Sequence, residues 1–214
     1  MADPSTTTTT THSQSQPSTY QSVLSTLLSY PPPLSSLPKS PSPPRIPSHT
    51  ISSLSLHPVL EAALHLLNLD LPSAHFLCRH MESAPAHESM FVHGILHRIE
   101  GDYDNARAWY GDVADSDVFR SVWPDGAEDG GEENGLNSAR EFISAVEAWT
   151  KRRQGAEEEL RSRSGEEIRL VVDHCEKKFG IGRVDDASGV WISKEKTAEM
   201  AQKMVTGGEG WREF

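Results

Sequence analysis

Seven of the ten histidines fall between positions 57 and 97, so any histidine chemistry is concentrated in one fifth of the chain. His93 and His97 are four residues apart in an apolar-periodic stretch, a spacing that turns two imidazoles from one helical face toward a single ion, as in helical zinc sites. Glu100 follows one turn later, and His75 lies on an upstream segment that a stacked helical arrangement would bring alongside. Three imidazoles, or two with Glu100, compose a site for a divalent metal such as zinc that keeps one coordination position open. The same residues suit a metal-free ligand pocket, with Arg98 and Arg107 flanking a turn where either could clamp a carboxylate or phosphate. Packing competes with both readings. An HxxxH spacing is common on ordinary helices, and imidazoles bonded to carbonyls or to Glu100 and Asp102 do no chemistry. What separates this stretch from an ordinary helix is cost, because buried imidazoles need partners and apolar cores avoid them. No catalytic residue can be assigned. His174 and Cys175 are neighbours, about 100° apart on a helix, which rules against a nucleophile and base pair. No glycine-rich phosphate loop, serine elbow or CxxC occurs.

The elements that position these histidines are two helices joined by a tight turn across residues 90–113. Met90, His93, Ile95, Leu96, His97 and Ile99 share one broad face at a 3.6-residue period. Gly101-Asp102 supplies the turn, with Asp102 accepting from the first N–H groups of the next helix. Tyr103, Ala106, Tyr110 and Val113 form the second face. Gly94, inside the first helix, costs roughly 1 kcal/mol relative to alanine and marks a close helix crossing.

These residues resemble one arm of a tetratricopeptide-type helical repeat, W-x2-L-G-x2-Y, then A-x3-F, then P. Gly94, Ala106 and Tyr110 match; Met90, His93 and His97 stand at the tryptophan, leucine and tyrosine, and the closing proline is absent. A second copy lies 32 residues upstream, where Leu64-His65 falls on Leu96-His97, Asp70 on Asp102, Ala74 on Ala106 and Ala62 on Gly94. Residues 57–117 therefore read as two stacked hairpins. The run HGILHRIEGDYDNARAWY, residues 93–110, also resembles a segment of filamentous-fungal and bacterial proteins carrying HGxLHRxEGDYxNAxxWY, which implies no activity. The helical-repeat resemblance implies a surface or groove that receives a protein or peptide partner.

Composition limits the partners. The net charge is −11, and ten acidic against four basic residues lie between positions 57 and 124. Such a module repels phosphate backbones and anionic membranes, so no nucleic-acid or membrane partner is expected. No run of 18 apolar residues exists to span a bilayer. Cys78 and Cys175, each among apolar helical neighbours, read as buried thiols of a reducing compartment. With neither a basic, apolar leader nor an arginine-rich presequence, a cytoplasmic or nuclear location is expected, not secretion.

Residues 1–50 are Ser, Thr and Pro-rich and should form a disordered tail of eukaryotic type. One island, Tyr20, Val23, Leu24, Leu27 and Leu28, has helical spacing suited to a short docking helix. Residues 51–214 form a single helical domain. Pro58 and Pro72 open the first two repeat helices; Leu60, Leu64 and Leu67 line the first, and Ala74, Leu77, Cys78 and Met81 the second. An acidic glycine-rich loop spans 125–135 and lacks the ligand spacing of a helix-loop-helix calcium site. Capping helices occupy 136–206. The first carries Leu136, Ala139, Phe142, Ile143, Val146 and Trp149 and runs on partly exposed to Arg163, with a break at Gly155. Ser164 to Glu167 reads as a capping box opening the next, with Ile168, Val171, Val172, Cys175 and Phe179 buried; the last runs from Lys194 to Val205. The fold expected is thus all-α: stacked hairpins of tetratricopeptide-like type, additional C-terminal helices and a disordered N-terminal tail. The function expected is a protein- or peptide-binding scaffold without an organic cofactor. The alternative is a small-molecule or metal-binding protein, a hydrolase among the possibilities, that uses His75, His93, His97, Arg98 and Glu100.

Overall fold

Paired helices with aspartate caps organise the middle of the chain. The computed structural model describes residues 18–35, 43–124 and 134–191. Helix α3, Pro58–Leu67, turns through Asn68 to Asp70, whose carboxylate accepts from the Ser73 N–H and caps α4, Leu71–Arg79. The same grammar recurs 32 residues later. Helix α5, His87–Glu100, ends on Gly101 at φ 87°, and Asp102 accepts from the Asn105 N–H to cap α6, Tyr103–Val113. The left-handed value at Gly101 is one that glycine adopts without steric cost. Helix α3 packs on α4, α4 on α5 and α5 on α6, and α3 also meets α5.

Residues 32 positions apart in the two helix pairs share their burial. Leu64 and Leu96, and Ala74 and Ala106, are all fully buried. At Gly94 a Cβ would lie 2.9 Å from both Trp109 Cβ and Tyr110 Cδ1. This is the close crossing expected from a glycine inside a helix, and it seats α6 directly on α5.

Three more helices close the core. Helix α7, Asp117–Val122, buries Val118, Phe119 and Val122. Helix α8, Gly135–Arg152, buries Ala139, Phe142, Ile143, Val146 and Trp149 against α6. Helix α9, Glu157–Phe179, buries Ile168, Val171, Val172 and Cys175 and touches α3, α5, α7 and α8. A 3-10 turn follows at Ser188–Val190. No strand occurs among the described residues, and none of their helices is long and apolar enough to cross a membrane.

One expectation needs correction. The chain breaks at Arg153 and Gly155, both at positive φ, but α9 starts at Glu157 and runs straight through Ser164 to Glu167. Those residues are helix interior, so they form no capping box. Ser164 and Glu167 are buried polar residues instead, for reasons that emerge at Arg98. The island noted within the N-terminal segment is helical. Tyr20–Leu28 forms α1, capped by Thr19, with Tyr20, Val23 and Leu27 buried, and Ser48–Ser52 forms α2, with Ile51 buried. Between them Leu34 is 1% exposed.

Backbone pairing explains how so proline-rich a segment joins the fold. Arg45 donates to Pro31 O at 2.6 Å and Leu67 O at 2.8 Å, Arg161 to Pro32 O at 3.1 Å, and Ser164 to Pro33 O at 2.5 Å. Prolines lack an N–H, so their carbonyls are what the body of the protein has to satisfy. Residues 1–17 and 36–42, most of the acidic loop and the helix expected from Lys194 lie outside the described residues.

Candidate metal and peptide site

The α4–α5 junction brings His75 to His97 and Glu100. His75 projects from the middle of α4, while His97 and Glu100 occupy adjacent turns at the end of α5, so the order of hairpin packing is what joins them. One donor atom from each of the three lies within 4.8 Å of the other two. His75 Nε2 is 2.7 Å from Glu100 Oε2, and His97 Nδ1 is 4.0 Å from that same oxygen. Asp102 Oδ2 stands 3.6 Å from His97 Nδ1. The cluster is partly open, with the Glu100 side chain 34% exposed.

His93 behaves differently. It is 4% exposed, and its ring stacks on His97 with centroids 4.7 Å apart and planes 24° apart. Trp109 lies against it at 4.7 Å, His75 meets its edge at 5.1 Å, and Glu82 Oε2 is 3.8 Å from its Nδ1. The helical spacing therefore produces a stacked pair, and the three-donor group is completed from α4 and by Glu100, without His93.

The equivalent position of the first hairpin provides a comparison within the molecule. His65, 3% exposed, sets Nδ1 3.1 Å from Asp70 Oδ2 and Nε2 3.6 Å from Glu61 Oε1. In both hairpins, then, a histidine near the end of the first helix faces the aspartate that caps the second. Burial pulls the Asp70 carboxyl upward, but hydrogen bonds from Ser48 and Ser73 and the nearby His65 bring it below its ordinary value.

A depression of about 560 Å³ opens beside the cluster, lined by Pro72, His75, Phe76, Arg79, His80 and Glu100. Phe76 is 62% exposed there. Arg79 has no ion-pair partner among the described residues, and His80 is held by Phe76 O at 2.7 Å and by the edge of Trp191 at 5.4 Å. Sequence reading did not single out this groove. Its signal was Phe76 itself, a large apolar residue off the Ala74 and Cys78 stripe of α4.

Arg98 lies in the interior, away from the groove. Its guanidinium, fully buried, donates to Glu167 Oε2 at 2.6 Å, Ser164 Oγ at 3.1 Å and Leu34 O at 3.4 Å. Glu167 Oε1 in turn accepts from Tyr110 at 2.7 Å and Trp123 Nε1 at 3.0 Å. Burial works against the Arg98 charge, but Glu167 and Tyr110 outweigh it and raise the guanidinium above its ordinary value. The Tyr110 hydroxyl, desolvated beside that carboxylate, is also pushed well up. Arg107 is tied on the surface to Asp104 at 3.0 Å and Glu147 at 2.5 Å. Every donor of this kind near the turn is engaged with carboxylates of the protein itself.

Comparison with protein-family profiles, with curated proteins and with solved structures finds no match.

Proposed function

We propose that the protein is a peptide-binding scaffold built on two tetratricopeptide-like hairpins, and that its recognition surface is the groove along α4. The observation that carries this reading is Phe76, the most exposed large apolar side chain among the described residues at 62%, set in a depression beside Pro72, Arg79 and His80. An apolar side chain left in water beside a guanidinium that has no ion-pair partner among the described residues is suited to a ligand that has both complements. The occupant is thus a short peptide that places an apolar side chain on Phe76 and a carboxylate on Arg79. Two buried thiols, Cys78 and Cys175, accord with a cytoplasmic or nuclear site of action.

Selection from a random peptide library against the full chain tests this. The expected result is a consensus with one apolar and one acidic position, bound at least tenfold more weakly by Phe76→Ser and by Arg79→Glu. No consensus, or a consensus bound equally by both variants, would overturn the reading. So would a dimer that Phe76→Ser dissociates, because the groove would then belong to a second copy of the chain. The alternative, a small-molecule or metal-binding protein with hydrolysis among its possible activities, is favoured by one observation, the convergence of His75, His97 and Glu100.

A further inference from the structure

We propose that His75, His97 and Glu100 form a three-donor site for a divalent transition metal of the zinc class, with its open position facing the α4 groove. The inference does not depend on whether a peptide occupies that groove. Two imidazoles and one carboxylate are a donor set that zinc and its neighbours accept with a coordination position to spare. Here the three donors come from two packed helices and meet within 4.8 Å.

A tetrahedral zinc with bonds of about 2.0–2.1 Å holds its donors roughly 3.3 Å apart. The 2.7 Å between His75 Nε2 and Glu100 Oε2 is a hydrogen-bond distance and the 4.0 Å between His97 Nδ1 and that oxygen is slightly wide. A shift of the Glu100 carboxylate oxygen by roughly 0.7 Å, away from His75 and toward His97, reconciles the two with the geometry zinc requires. On binding, the ion takes the place of the proton that His75 and Glu100 now share. The ring planes are already set: His93 stacks on His97 and meets His75 edge-on. With both imidazoles neutral the set carries one negative charge, and a chain of net charge −11 favours the approach of cations.

The first hairpin separates this site from a packing habit. His65 meets Asp70 and Glu61 as His97 meets Asp102 and Glu100, but it is 3% exposed. Among the described residues the three-donor group forms only where α4 supplies His75. Metal binding is therefore assigned to the junction of α4 with α5 alone.

The test is a titration of the untagged, chelator-stripped full chain with zinc by calorimetry and with cobalt(II) by visible absorption. One saturable equivalent is expected, with cobalt bands of nitrogen and oxygen ligation and a zinc-dependent rise in melting temperature. His75→Ala, His97→Ala and Glu100→Gln should each weaken zinc binding at least tenfold, with helicity unchanged by circular dichroism. His65→Gln should bind as the unaltered chain does. If a variant does not fold, the unaltered chain still decides through its stoichiometry, cobalt spectrum and melting shift. The proposal is overturned by absence of saturable binding, by cobalt bands of thiolate ligation, or by affinity that survives in folded His75→Ala and His97→Ala.

Discussion

The Glu167 carboxylate accepts three hydrogen bonds in a space with no water contact, from Arg98, Tyr110 and Trp123. Removing either charge leaves the other buried and uncompensated, a loss of about 3–5 kcal/mol. Glu167→Leu and Arg98→Met should therefore each lower stability by that order in urea denaturation, while the double variant should cost less than the two singles together. The cysteines invite a second test. Burial pushes the Cys78 thiol up to about 12 and raises that of Cys175 as well. Neither thiol should react with a thiol reagent at pH 7 until the protein is unfolded, when two equivalents should appear. His57 supplies a pH dependence. Its ring is stacked 3.8 Å from Phe179 and its Nδ1 accepts from the Val59 N–H at the start of α3. Desolvation lowers its pKa, with Lys178 acting in the same direction and Glu88 against it. Because the folded value is depressed, its contribution is complete above the unfolded value near pH 6.5 and is lost as the pH falls through the folded one. Urea midpoints should fall on acidification from pH 7, and His57→Asn, which keeps a capping oxygen, should flatten that fall. Unchanged pH dependence in His57→Asn would show that other groups control it.

At the scale of elements, much of the hairpin architecture was legible because period and punctuation agreed. Leucines at 60, 64 and 67, aspartate caps at 70 and 102, and a glycine stop at 101 each state a boundary or a face, and the structure uses them in those roles. His75 meets His97 and Glu100 because α4 packs on α5. The misreading has a physical cause. Ser164 to Glu167 has the composition of a helix start, but local composition cannot register a partner 66 or more residues away in sequence, and here Arg98 turns Ser164 and Glu167 into core. The described part of the N-terminal segment shows the same limit: its average composition is that of a disordered chain, but Tyr20, Val23, Leu27 and Leu34 are buried and its proline carbonyls accept from Arg45, Arg161 and Ser164. Gly94 offers the cleanest test of an element contact. Adding a methyl 2.9 Å from Trp109 and Tyr110 should overpack the crossing by about 1–3 kcal/mol, against a helix-propensity gain of about 1 kcal/mol. Gly94→Ala should thus destabilise on balance, measured by chemical denaturation, although alanine occupies the equivalent position 62.

For the whole molecule, the polar groups divide into two sets with different roles. Arg98, Glu167, Tyr110 and Trp123 are shut in and tie α5, α6, α9 and the N-terminal segment to one another; His75, Glu100, Phe76 and Arg79 line a groove beside α4. Variants of the first set should act on stability, and variants of the second on binding. The most direct measurement of that division is amide chemical-shift mapping of the full chain with a library-selected peptide. Perturbations confined to α4, Leu71–Arg79, and the end of α5, and absent in Phe76→Ser, are the predicted result. Perturbations centred on α8 or α9, or unchanged by Phe76→Ser, would contradict the assignment of the α4 groove as the recognition surface.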